Sequence, residues 1–155
     1  MSTPAIRALT AAGIPFTERA YEHDPRAASF GREAADALGV EPERVFKTLL
    51  AEVDGRLVVG IVPVSTKLDL KALAAAVGGR KAAMADPELA QKRTGYVVGG
   101  ISPIGQKNRH DTVLDDSAEL WETVLVSGGR RGLDLELAPA DLLTITGGAL
   151  ADIAR

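Results

Sequence analysis

The stretch Val45-Phe46-Lys47-Thr48-Leu49-Leu50-Ala51-Glu52-Val53-Asp54-Gly55-Arg56-Leu57-Val58-Val59-Gly60-Ile61-Val62-Pro63-Val64 decides the fold. Two β-rich runs, Val45 to Val53 and Arg56 to Val64, flank Asp54-Gly55, the dipeptide of a two-residue hairpin turn. The second run is apolar on both faces. Such a strand is covered on both sides, as in a barrel or the middle of a sheet.

Punctuation on either side of the hairpin predicts the other elements. Thr3-Pro4 opens a helix that Gly13 ends. Residues 15 to 22 alternate as a strand, and His23-Asp24-Pro25 breaks it. Ser29 to Leu38 reads as a helix stopped by Gly39. Asp69 caps a helix to Val77, and Asp86-Pro87 caps another to Lys92. Strands are expected at Gly95 to Val98, Thr112 to Leu114, Thr123 to Val126 and Leu133 to Leu137. Helices are expected from Pro139 through Leu143 and over Ala149 to Ala154. Hairpin signals outnumber βαβ repeats. The expected fold class is therefore α+β: one domain over residues 1–155, with a mixed, largely antiparallel, barrel-like sheet surrounded by helices.

The chain has 155 residues, enough for one core and little more. It has no cysteine, which excludes a disulfide framework, a thiolate metal site and a protein thiol nucleophile. His23 and His110 are too far apart in sequence for a local metal-ligand pair, so a His-rich zinc site is not expected; carboxylate metal sites stay open, and no metal ligand is assigned. No apolar run is long enough to span a bilayer, and the N-terminus lacks a signal-peptide pattern, so a cytoplasmic location is expected. With a net charge of −3, binding to nucleic acid by overall charge is disfavoured. Local charge differs: Leu89 to His110 carries Lys92, Arg93, Lys107 and Arg109 and no acid.

Four places could carry chemistry. Lys47 shares a strand face with Val45 and Leu49. It is either an edge lysine that deters aggregation or a partly desolvated cation facing a pocket. Gly99-Gly100-Ile101-Ser102-Pro103 is either a ligand cradle or a crossover loop; its spacing fits neither a dinucleotide fingerprint nor a P-loop. Ser127-Gly128-Gly129-Arg130-Arg131-Gly132 is an anion nest or a turn with exposed arginines. Asp134 and Glu136 alternate with three leucines, which reads most simply as the wet face of a strand; a functional Asp134 must enter the pocket of Lys47. Tyr21 and His23 read as packing and turn-capping residues, with base stacking and general-base roles as the alternatives.

Together, Tyr21-Glu22-His23-Asp24-Pro25, Val45-Phe46-Lys47-Thr48-Leu49, Leu68-Asp69-Leu70-Lys71, Met84-Ala85-Asp86-Pro87, Thr94 through Pro103 and Ser127 through Asp134 resemble the YbaK/EbsC family. The resemblance runs over nearly the whole chain. It is similar also to the editing domain of bacterial prolyl-tRNA synthetases. The resemblance implies a trans-editing deacylase that clears Cys-tRNA(Pro), and possible action on Cys-tRNA(Cys) as well. The substrate's own thiol would attack its ester, with no cofactor. It implies Lys47, Tyr21 and Asp134 as catalytic residues. Gly99, Gly100, Ile101, Ser102 and Pro103, with Ser127, Gly128 and Gly129, would bind substrate. The implied partners are the 3′ acceptor end of aminoacyl-tRNA and, transiently, prolyl-tRNA synthetase, with no membrane. The competing readings are a water-dependent deacylase for Ala-tRNA(Pro) or another mischarged tRNA, and a non-catalytic module that binds a tRNA end or a synthetase.

Overall fold

The computed structural model describes residues 2–27 and 29–155. The hairpin forms as read. Strand β2 (Phe46–Val53) pairs antiparallel with β3 (Arg56–Pro63), and Val53 lies opposite Arg56. Asp54 and Gly55 both hold positive φ, 50° and 86°, as a turn matched to strand twist requires. The Asp54 carboxylate also accepts the backbone N–H groups of Arg80 and Lys81, at 2.9 and 3.0 Å.

Five strands make one sheet. Strand β4 (Ala82–Met84) lies on the outer side of β2, while β5 (Asp111–Asp115) and then β8 (Ala149–Ala151) extend the sheet beyond β3. Both of the latter pairings are parallel. Three strands make a second, antiparallel sheet: β7 (Leu133–Leu137) lies between β1 (Thr17–Ala20) and β6 (Val124–Arg130). An isolated bridge from Val45 to Leu125 joins the two sheets at one corner.

The main core lies between the sheets. Phe46, Val59, Ile61 and Leu114 meet Val126, Leu133 and Leu135 there. Helices α1 (Pro4–Ala12) and α5 (Pro139–Thr146) add Leu9 and Leu142. Helix α2 (Phe30–Leu38) covers Val45 and Leu125 on the other face of the joint. Helix α3 (Leu70–Ala76) packs Leu73 against Val58 and Val62, and α4 (Pro87–Thr94) adds Ala90 to the main core. Thr3 and Asp69 cap their helices through side-chain oxygens, as the sequence predicts, and Ser29, read as the first helical residue, caps α2 in the same way. Asp86 stands at the cap position of α4 without such a bond.

Two expected elements differ. Gly95 to Val98 is no strand: Gly95 ends α4 with a φ of 81°, and Tyr96 turns inward, its hydroxyl donating to the Ile104 carbonyl at 2.7 Å. The Ala149 to Ala154 stretch is no helix. Ala149–Ala151 pairs with β5 instead, and Ala154 bridges Leu68. Strand β4 is an element the sequence reading did not anticipate.

Glu136 ties this frame together. It accepts from Arg19 on β1 at 2.5 Å, from Thr123 ahead of β6 at 2.6 Å, and from Arg44 ahead of β2. The Thr123 bond first, then the two arginines, hold its carboxyl below the usual range. The ionised form therefore supports the fold above that range, and the support is lost as pH falls. Glu136→Ala leaves two half-buried guanidinium groups facing each other, and a loss of about 1–3 kcal/mol is expected. Urea denaturation at pH 7 and at pH 4 checks this: the deficit should shrink at the lower pH.

Candidate active site

A cavity of about 380 Å³ opens where α2, the first half of β2, α4 and the loop after α4 converge. Lys47, Tyr21, Ser127 and Asp134 face it, with Phe30, Ala34 and Ala90 among its apolar walls.

Lys47 is no edge lysine. Its strand has β3 on one side, with β4 and the Leu125 bridge on the other. Its ammonium donates to the Thr66 carbonyl at 2.6 Å, in a turn closed by a bond from the Thr66 hydroxyl to Pro63. Burial, and then the nearby Lys67, lower its pKa. Among the described residues, no other acceptor takes the remaining ammonium hydrogens, which can meet a ligand's oxygen.

Asp134 is buried, 5% exposed, so the wet-face reading of β7 is corrected at this position. Tyr21 and the cavity lie beside this carboxyl, while the arginines clamp Glu136 two residues on. Burial pushes the Asp134 carboxyl up to about 7, with Arg19 pulling weakly the other way. No ion pair joins it to Lys47 among the described residues. Tyr21 is pushed up to about 12 by burial and by the Asp134 charge. Its phenol is a proton donor throughout the physiological range.

The two glycine blocks divide. Gly99 and Ile101 line the cavity, and Ser127 faces it from β6. Gly100, Ser102 and Pro103 do not line it. Gly100 lies against the backbone of Arg130 and Arg131, where an added Cβ would come within 2.8 Å. Ser102 is fully buried and accepts the Ile104 N–H at 3.2 Å, which closes the loop. Gly128 and Gly129 also lie outside the cavity lining. The Gly128 carbonyl accepts from Thr3 at 2.5 Å, and Gly129 abuts Tyr96 with a φ of 104°. These residues shape the loops that carry Gly99 and Ser127. His23 sits outside the lining and bonds Glu33 at 2.9 Å, as a turn-holding residue does.

Arg131 lies outside the cavity lining but braces it, a role the nest and exposed-turn readings of its loop did not include. Its Nε and Nη2 donate to the Val98 carbonyl at 3.1 and 2.6 Å, and its guanidinium lies 4.8 Å from the centre of the Phe30 ring. One exposed cation thus holds two opposing cavity walls. The only signal in the sequence was an arginine pair after Gly-Gly, which a turn explains equally well. Arg131→Met should lower kcat/KM for the deacylation proposed below by roughly tenfold. The thermal midpoint should move little, because the lost bonds are exposed.

The same fold is seen in a crystal structure of a protein assigned provisionally as a trans-editing enzyme for prolyl-tRNA synthetase. That protein is 27% identical, with a TM-score of 0.86 over 100% of this chain and 99% of the other. The hypothetical protein APE2540 superposes with a TM-score of 0.88 at 25% identity, over 99% of this chain and 100% of that one. The fold is that of editing proteins of this type. The chain belongs to the aminoacyl-tRNA editing domain family, whose sequence profile matches residues 24–145. EbsC of Enterococcus faecalis, assigned provisionally as a Cys-tRNA(Pro)/Cys-tRNA(Cys) deacylase, is 37% identical over 155 residues, spanning 97% of this chain and 92% of EbsC. The proline–tRNA ligase of Maridesulfovibrio salexigens is 35% identical over 100 residues, which are 64% of this chain and 17% of the ligase. Among the described residues, no helix is long and apolar enough to cross a membrane.

Proposed function

We propose that this chain, acting as one editing domain over residues 1–155, clears Cys-tRNA(Pro), and Cys-tRNA(Cys) with it, in trans in the cytoplasm. One observation carries the reading. The cavity presents Lys47 and Asp134 unpaired with each other, and no histidine lines it to activate Ser29 or Ser127. A site of this kind supplies charge and orientation, and the nucleophile comes from the substrate. The similarity to EbsC and to part of proline–tRNA ligases supports the choice of cysteinyl ester and of tRNA(Pro).

In the proposed step, the cysteinyl sulfur attacks its own ester carbonyl. A sulfur–carbon bond forms, the bond from that carbon to the ribose oxygen breaks, and the thiol proton ends on the released hydroxyl. The products are a cyclic thiolactone and free tRNA. Lys47 and the Gly99 backbone face the carbonyl oxygen as it gains charge. Asp134 faces the substrate's α-ammonium, which draws the carboxyl into its ionised form. Tyr21 donates a hydrogen bond to the ester. A transient complex with prolyl-tRNA synthetase would bring the tRNA before it is lost to translation. Such a second site serves where binding alone separates two similar amino acids poorly.

The test is release of amino acid from purified Cys-tRNA(Pro), beside Ala-tRNA(Pro) and Ser-tRNA(Pro), with the small product identified. Clearance of the cysteinyl ester alone, with a thiolactone product, is expected. Clearance of the alanyl or seryl ester to free amino acid would mean that the cavity activates water, and would overturn the thiol mechanism.

A further inference from the structure

Helix α4 has two walls. Pro87 and Ala90 face the deacylation cavity. About a quarter-turn around the same helix, Leu89 and Arg93 face a separate groove with Arg109 and His110. That groove measures about 380 Å³.

The loop after α4 folds back to build it. Lys107 N–H donates to the Thr94 carbonyl at 2.8 Å, while the Asn108 backbone and side chain both donate to the Arg93 carbonyl, at 3.2 and 2.9 Å. Arg93 and Arg109 therefore share the groove wall, and Lys107 stands at its rim beside Gly95, the residue that ends α4. All three are exposed, and among the described residues none makes a salt bridge. The other arginine of the groove, Arg56, is paired with Asp111. Glu52 is the remaining acid on the wall. A cation at the end of α4 complements the helix dipole, which accounts for Arg93. Arg109 reaches the C-terminal cap of α5 at Gly147 in the same way, so two helix ends gather their cations on one groove, and neither end accounts for Lys107 at the rim. General basicity does not either, since the chain carries a net charge of −3.

We propose that this groove binds the phosphodiester backbone of the aminoacyl-tRNA acceptor arm while the charged 3′ end occupies the cavity. The proposal rests on the deacylase reading. The two sites are separated by one helix, about 10–12 Å across, so a strand leaving the cavity meets the cations within its first few nucleotides. Clustered cations attract phosphates locally whatever the sign of the whole protein. The contacts are to backbone, so they add affinity for RNA without reading its sequence.

The test uses the full chain with Arg93, Lys107 and Arg109 replaced together by alanine, and Lys107→Glu as a second, milder variant. Binding of uncharged tRNA(Pro) is followed by fluorescence anisotropy across a salt series, and kcat/KM is measured on Cys-tRNA(Pro) and on 3′-cysteinyl adenosine. The triple variant should bind tRNA at least tenfold more weakly, with the log–log salt slope reduced by about 2–3. It should lose kcat/KM on the tRNA and keep it on cysteinyl adenosine. Unchanged binding and slope would overturn the proposal, as would an equal loss on both substrates. A wild-type chain inactive on both cysteinyl esters would sink the deacylase reading instead, and the binding series would still decide the groove.

Discussion

Replacing Lys47 by alanine is expected to lower kcat/KM for deacylation by about 100- to 1,000-fold while the protein stays folded. The magnitude is that of removing one preorganised charge or donor aimed at a developing oxyanion. The fold should tolerate the change because Lys47 is only half-buried and makes one hydrogen bond, to the Thr66 carbonyl at 2.6 Å. Losing a partly desolvated ammonium offsets much of the cost of leaving that carbonyl free. Lys47→Arg should fail as well: a planar fork does not replace a compact ammonium that shares its hydrogens between Thr66 and the ester. The loss should appear in kcat more than in KM, since the interaction strengthens as the carbonyl oxygen gains charge. Single-turnover kinetics with a thermal melt of each variant checks this. An active, folded Lys47→Ala protein would remove Lys47 from the site, and would favour a module that binds the tRNA end without acting on it.

Lys47 also marks what local sequence can reveal. Its need for an opening was legible, because a lysine inside an apolar strand must be paired or face a pocket, and Lys47 lines the cavity. The hairpin was legible because Asp54-Gly55 demands a turn whatever surrounds it, and three helix starts were legible through Thr3, Ser29 and Asp69. The misreadings share a cause. Tyr96-Val97-Val98 has strand propensity, yet the tyrosine is needed inside, where its hydroxyl meets the Ile104 carbonyl. Ala149–Ala151 has helical propensity, yet the open edge of β5 pairs with it. Tertiary partners overrode local preference in both. The parallel pairings of β3 with β5 and of β5 with β8 join strands far apart in sequence, so no local pattern announces them. The cavity's composition was hidden for the same reason. Phe30, Met84 and Ala90 come from three separate elements, α2, β4 and α4, and only the fold brings them to one opening.

Asp134 is where the alternation of β7 misled most, and its replacement by asparagine should separate stability from activity. Its carboxyl moves from an ordinary 3.8 to about 7, chiefly through burial. The native state therefore holds the proton more tightly than the unfolded chain does. The stability gained from that proton is fully present below 3.8 and is lost as pH rises to about 7. Above that point the fold carries a buried, unpaired charge. Asparagine never ionises, so the variant escapes the loss. Its buried amide hydrogens carry a cost of their own, about 1–3 kcal/mol, but that cost does not change with pH. The quantity to measure is thus the difference in unfolding free energy between variant and wild type, at pH 4.5 and at pH 8. It should move in the variant's favour by about 2–3 kcal/mol across that range. At pH 8, deacylation by the variant should fall at least 100-fold below wild type, because a neutral amide gives no charge to hold the substrate's α-ammonium, and the gap should narrow toward pH 4.5, where the wild-type carboxyl holds its proton. A stability difference that stays constant from pH 4.5 to pH 8 would mean that Asp134 titrates as an ordinary exposed acid. A fully active Asp134→Asn protein would mean that the substrate's ammonium is held elsewhere. If both expectations hold, the wild-type chain keeps an acid that weakens its fold at neutral pH, and substrate binding at the cavity is what retains it.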